Sequence, residues 1–416
     1  MSGYKSLRVY SYEHPGESIE PELDKRLNGY GTRKFSLIIN PINEKEGVRL
    51  SDRFNLFLVP INEITQLLIS INSKSEQIKN LIQKLPGVAS NQFFYQMLVS
   101  EIKGTNEIEN VSSTTEEINF AIDNINNEKK NIRLKSFAYM YSSIKVGKVN
   151  KIEKLDDIRK LYDDLLAGEI PEDKLPDGKL FRDGFVRIGN STKTVHCPKE
   201  HENEIVDQLK EWIEFINDDK IESIIKACVA HYYFEYVHPF YDGNGRLGRY
   251  IFCSYVGKKL DPYTAISFSH QVNLNKNKYY KGFEEVENKK NYGEVTLFVL
   301  NLLNYLENGQ NDVLDKLLTS IDHLEFVKLE LEKQKYSHIE LNLLYIYSQA
   351  FIFNDFEGSV EDREMYEIFK KNEGISKRNV KTSIDDLENH GLIETVKKKP
   401  FKRKITEKFL KEIGIK

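Results

Sequence analysis

Residues 238–249 read HPFYDGNGRLGR, and they dictate a sharp corner between two helices. Pro239 cannot continue the helical pattern that runs through Lys220–Tyr236, and Gly243 and Gly245 permit backbone conformations that side chains disfavour. Helical spacing resumes near Arg246 and runs to about Lys259. Apolar stripes at helix period surround this corner, which sets the fold class as mainly α. Ile64, Leu67, Leu68, Ile71 and Ile78 share one face from Ile61 until Pro86-Gly87 stops the pattern. Further helices are expected over about Asn91–Lys103, Ser113–Asn127, Glu202–Ile216 and 296–306, with Asp312–Gln334 as a polar connecting helix. β-like runs are confined to KFSLIIN (34–40), FNLFLV (54–59) and FRDGFVRIGNSTKTVHCPKE (181–200). The last alternates like a hairpin, with Gly189-Asn190-Ser191 as its turn.

At 416 residues the chain is long enough for two or three domains. A net charge of −4 gives no global attraction to nucleic acid or membrane, so any basic surface must be local. Cys197, Cys228 and Cys253 form no CxxC pair and are odd in number, which argues against a disulfide framework or a zinc site. The first residues carry no signal-peptide core, and no apolar run approaches the ~20 residues of a membrane span. A soluble cytoplasmic protein without a membrane partner is expected.

The corner also has a chemistry. Glycines around Asn244 let backbone N–H groups approach a ligand, and the following helix N-terminus adds unsatisfied donors and the positive end of its dipole. Arg246 and Arg249 are three positions apart and project on neighbouring faces. Together these make a cradle for a polyphosphate. Asp242 at its lip is the hard oxygen donor that Mg²⁺ takes alongside substrate phosphates. His238 could accept a proton from an incoming hydroxyl near neutral pH. Base, metal ligand and phosphate cradle point to phosphoryl or nucleotidyl transfer. His196, His231 and His270 are read as structural histidines.

HPFYDGNGRLGR resembles the signature of the Fic family, HPFx[D/E]GNGRxxR, at every defined position. The resemblance extends over roughly residues 95–310 and implies a helical core whose members transfer AMP from ATP to a Ser, Thr or Tyr hydroxyl of a target protein. It casts His238 as general base, Asp242 as Mg²⁺ ligand and Phe240 as the loop's anchor in the core. The Gly243–Gly245 backbone with Asn244 would stabilise phosphate oxygens, and Arg246 and Arg249 would bind the polyphosphate. Gly245 argues against a kinase-like relative that has a bulkier basic residue there. The 181–198 hairpin would be the flap that clamps a target segment. Tyr279 and Tyr280 resemble a tyrosine pair near the nucleotide base, although a buried helical aromatic pair is the better explanation.

TNEIEN (105–110) places Thr105 and Glu109 on one helical face, a common pattern by itself. Beside a Fic motif it resembles an inhibitory helix, here near residues 100–112. Glu109 would then engage Arg249 where the γ-phosphate should lie, and Thr105 would fix the helix. Residues 336–416 read as three helices and a hairpin and resemble a winged helix-turn-helix. Lys377 and Arg378 would lie on its recognition helix, and Lys397, Lys398, Lys402 and Arg403 in its wing. Such a patch fits DNA phosphates, or a solvated scaffolding wing. The expected layout is a helical lead-in over 1–94, a Fic core over 95–315 and the winged helix over 336–416. The expected function is ATP·Mg²⁺-dependent protein adenylylation, checked in cis. A de-adenylylating hydrolase and a DNA-binding regulator with a ligand-sensing core are the alternatives, and homodimerisation is left open.

Overall fold

A computed structural model describes residues 3–43, 46–127, 132–149, 151–189, 194–356 and 358–414. The chain divides into two compact units, Met1–Glu76 with Ser100–Asn311, and Gln77–Val99 with Asp312–Lys416. The divisions fall inside three long helices, Asn62–Lys84 (α1), Gly87–Ile108 (α2) and Thr296–Leu331. They do not coincide with the boundaries expected from sequence.

In the first unit, the early β-like runs form an antiparallel pair, Arg33–Ile39 (β1) with Phe54–Leu58 (β2). Phe35, Leu37 and Ile39 point inward on alternate positions, the pattern of a strand covered on one face. Two short helices, Leu7–Glu13 and Glu20–Leu27, precede it.

The centre of this unit is three helices, Glu202–Ile216 (α3), Ser223–Val237 (α4) and Asn244–Lys259 (α5). α3 buries one face through Ile205, Leu209, Trp212 and Ile213. α4 is buried nearly all round, from Ile224 to Val237, which is why its sequence shows no polar face. α5 starts at Asn244, two residues before the expected Arg246, so Gly245 belongs to its first turn. Helices Phe268–Leu274 (α6) and Lys276–Glu287 (α7) follow. The expected hairpin is present as Ile188–Gly189 (β3) paired with Thr194–His196 (β4). Its turn residues Asn190 and Ser191 lie outside the described residues.

Thr296–Leu331 (α8) is one 36-residue helix where the sequence suggests two. Gly309 looks like a break but is a packing position. A Cβ there would lie 2.2 Å from Ser267 Oγ, so the small residue permits close approach rather than a turn. Glycine inside a helix costs about 1 kcal/mol, which surrounding contacts can offset.

In the second unit, His338–Phe353 (α9) opens with a capping box between Ser337 and Glu340. Val360–Glu361 (β5), Asp362–Glu373 (α10) and Lys377–Asn389 (α11) follow, then Ile393–Lys398 (β6) and Phe401–Ile405 (β7). Ser376 caps α11, and Gly391 at φ +71° follows its end. The sheet order is β5–β7–β6. Its core gathers Tyr347, Met365, Val380, Ile384, Leu387, Ile393 and Ile405. Among the described residues no helix is long and apolar enough to cross a membrane.

Candidate active site

The corner between α4 and α5 is latched from several sides. His238 ends α4 with φ +50°, and Phe240 is fully buried, stacked on Tyr162 at 3.7 Å between ring centroids. Asn244 closes the loop: its Nδ2 donates to the Phe240 carbonyl at 2.7 Å and its Oδ1 accepts the Phe240 N–H at 3.0 Å. Both ends of that amide are therefore committed within the loop. These two bonds brace the loop from within. Gly243 sits at φ +86°, and a Cβ there would also come within 2.4 Å of Leu166 Cδ1.

Arg182 escapes sequence reading. It is fully buried, and its Nε donates to the His238 carbonyl at 2.8 Å while its backbone N–H donates to the Pro239 carbonyl at 3.1 Å. One guanidinium thus fixes the backbone that presents His238. Nothing in its residue type separates it from the flanking polar positions of the hairpin.

The His238 ring Nδ1 faces the Glu235 carbonyl at 3.3 Å, so it carries the proton and leaves Nε2 with the lone pair. Burial pushes this imidazole down to about 3, with His196 and Arg182 acting in the same direction. It is neutral near neutral pH. His196 is bonded at both nitrogens, to Glu287 and to the Tyr236 carbonyl, whereas His270 is exposed.

The cradle is built from charge. Asp242 is 45% exposed, accepts the Gly243 N–H at 2.5 Å and lies 3.5 Å from Arg246 Nη2. Arg246 is 1% exposed, yet its Nε and Nη1 have no hydrogen-bond partner. Buried guanidinium donors left unpaired are costly, and an anion beside them would relieve that cost. Arg249 is equally buried, but its Nε and Nη2 are engaged. Its Nε donates to Thr105 Oγ1 at 2.9 Å, its Nη2 to the Thr105 carbonyl at 3.0 Å, and Nη2 lies 2.8 Å from Glu109 Oε1. Burial opposes the Arg249 charge, but Glu109 beside it holds the guanidinium above its ordinary range. A Cβ on Gly245 would fall 2.0 Å from Glu109 Oε1, so that carboxylate lies directly against the first turn of α5.

The end of α2 that carries Glu109 is held by α6 and α7. Tyr280 donates to the Ile108 carbonyl at 3.0 Å, and Lys276 donates to the Glu107 carbonyl at 3.1 Å and to Asn110 Oδ1 at 3.0 Å. Glu101 accepts from the Ser269 N–H and hydroxyl, and burial pushes its carboxyl up to about 7. Ile108 faces the core and Asn110 turns the chain at φ +58°. Tyr279 is buried with its hydroxyl on His231, so it offers no ring face to a base. Tyr280 is exposed, and its hydroxyl serves the helix end. Within the pair, Tyr279 is buried in packing and Tyr280 faces outward.

In the second unit, Lys377 and Arg378 are exposed at the start of α11, and Lys398 is exposed on β6. Lys397 is half-buried. Lys402 and Arg403 are buried, which corrects their expected place on an open wing. β7 is the middle strand, flanked by β5 and β6, and along it Lys402, Arg403 and Ile405 are buried while Phe401 is exposed. Arg403 is paired with Asp362 at 3.1 Å, Asp385 at 3.5 Å and Glu388, leaving it no role toward an outside phosphate.

Residues 152–256, which include the corner and its flanking helices, match the model of the Fic/DOC family. The protein adenylyltransferase fic-1 of Caenorhabditis elegans is 44% identical over 48 residues, which is 11% of this chain and 9% of that protein. The chain thus matches about a tenth of the length of that curated relative. A crystal structure of a Fic family protein from Desulfovibrio desulfuricans G20 aligns with a TM-score of 0.50 at 16% identity, covering 84% of this chain and 97% of that one. At that identity the likeness speaks to the fold. The match over residues 152–256 is thus to the Fic/DOC family, and the fold is similar to that of a Fic family protein.

Proposed function

We propose that this protein is an adenylyltransferase that moves AMP from ATP to a hydroxyl of a target protein, and that Glu109 holds it in check. The observation that carries the reading is the 2.8 Å pair between Glu109 and Arg249 beside an intact HPFYDGNGRLGR loop. His238 Nε2 takes the proton of a Ser, Thr or Tyr hydroxyl as its oxygen bonds to the α-phosphorus. The bond from that phosphorus to the bridging oxygen breaks, and pyrophosphate leaves. Arg246, with its unpaired buried donors, and the N-terminal N–H groups of α5 hold the phosphates where negative charge accumulates. Asp242 would hold Mg²⁺, which when bound neutralises phosphate charge; one carboxylate beside substrate phosphates is a common arrangement for this ion. The β3–β4 hairpin fits a clamp that pairs edge-on with the target segment.

Glu109 opposes this in two ways. It takes up Arg249, and it sets a negative charge where the γ-phosphate would lie. A hydrogen bond to a charged group is worth about 1.5–3 kcal/mol, so Glu109→Gly should raise labelling from α-labelled ATP about 10- to 100-fold. Glu109→Gln tests charge alone. A folded Glu109→Gly protein that labels no faster than wild type sinks the inhibitory role. Release of AMP from a pre-labelled target, without transfer, would favour hydrolysis instead.

The helix–strand–helix–helix–hairpin order of the second unit and the exposed Lys377, Arg378 and Lys381 support reading it as a winged helix with a phosphate-binding face.

A further inference from the structure

A cavity apart from the corner lies in the first unit, lined by α3, α4 and α5, with a volume of about 220 Å³. Its floor is apolar and buried: Trp212, Ala227, Ala230, Phe234 and Phe252. Its only fully enclosed charge among the described lining residues is Lys226, which is 3% exposed. The Lys226 ammonium donates to the Asp218 carbonyl at 2.7 Å and lies 5.7 Å from the Tyr255 ring centroid. No carboxylate among the described residues pairs with it. An enclosed ammonium without a counter-ion is unfavourable, because a carbonyl dipole and a ring face replace only part of its hydration. Lys258 and Lys259 stand exposed at the mouth, and Lys259 lies 5.6 Å from the same Tyr255 ring centroid. Asp219 is the acidic group among the described lining residues, and it too is exposed.

We propose that this cavity binds a compact apolar carboxylate, an aromatic ring on a short acid arm, with the acid on Lys226 and the ring against Trp212 and Phe234. Size and charge agree on this class. An apolar cavity of about 150 Å³ accommodates benzene, so the larger space here admits a ring with a two-atom arm. The carboxylate supplies the missing counter-charge through a charge-assisted hydrogen bond. A neutral ligand of the same shape would fill the space and leave the ammonium uncompensated.

Trp212 is the only tryptophan of the chain, so its fluorescence reports this cavity alone. The full-length protein is titrated with phenylacetate and, separately, with phenylacetamide. A saturable change with phenylacetate, at least tenfold tighter than with the amide and at least tenfold weakened by Lys226→Met, is the expected result. No saturable response to phenylacetate overturns the site. Equal affinity for acid and amide, or undiminished binding by a folded Lys226→Met protein, overturns the anion recognition. Should Lys226→Met fail to fold, the comparison of acid with amide on the unaltered chain still decides.

Discussion

A histidine offered as a general base must be neutral when its substrate arrives, and His238 achieves this through enclosure rather than through a carboxylate partner. Burial lowers its pKa from the ordinary value near 6.5 to about 3, so the neutral form persists down to about that pH. Because the shift is downward, activity should be retained as pH falls, not lost near 6.5. In the Glu109→Gly protein, single-turnover transfer at saturating ATP·Mg²⁺ should stay nearly level from pH 7.5 to 5.5. A tenfold decline over that window would assign the base an unshifted pKa and contradict the geometry. His238→Ala in the same background should reduce transfer about 10²- to 10⁴-fold while nucleotide affinity holds. Glu235 is a different case. Burial pushes its carboxyl up to about 8, and Gly248 leaves room for it, since a Cβ there would stand 2.2 Å from its Oε1.

At the scale of elements, the end of α2 matters as much as the glutamate it carries. Tyr280, Lys276 and Asn273 bind its last turn, so Glu109 stays opposite Arg249 only while that turn is held. Tyr280→Phe removes one hydrogen bond, worth about 0.5–1.5 kcal/mol, and leaves the ring packing in place. Basal labelling should rise roughly 2- to 10-fold without loss of thermal stability. An unchanged basal rate would mean that the turn is held without Tyr280. In the second unit, β7 carries Arg403 among Asp362, Asp385 and Glu388. Removing the arginine strands Asp362, which is itself largely buried, so Arg403→Ala should destabilise this unit by about 3 kcal/mol. Urea unfolding followed by hydrogen exchange at residues 393–405 measures it. A shift below about 1 kcal/mol would show the pairs to be screened by solvent.

For the whole molecule, the question is whether the second unit brings the chain to DNA. With Lys402 and Arg403 enclosed, the start of α11 and Lys398 on β6 remain exposed for it. Each phosphate contact contributes about 0.9 to the slope of log K against log salt, so replacing Lys377, Arg378 and Lys381 with Ala should reduce that slope by about 2.7. Absence of any wild-type binding at low salt would leave the unit a scaffold. The sequence by itself determined what local chemistry can determine. Proline, glycines and paired arginines within twelve positions dictated the corner and its cradle, and Ser376 with Gly391 marked the ends of α11. Those features act over one or two turns of chain, so residue type and spacing suffice to read them. The tertiary structure decided everything that depends on which face meets which neighbour. Thr105 meets Arg249 across 144 positions, Arg182 grips the loop backbone, and Gly309 packs against Ser267 instead of ending a helix. It also withdrew Lys402 and Arg403 from solvent, Arg403 among the carboxylates of Asp362, Asp385 and Glu388 that other elements bring to it. Burial and pairing of this kind arise from long-range packing, which no short stretch of residues encodes alone.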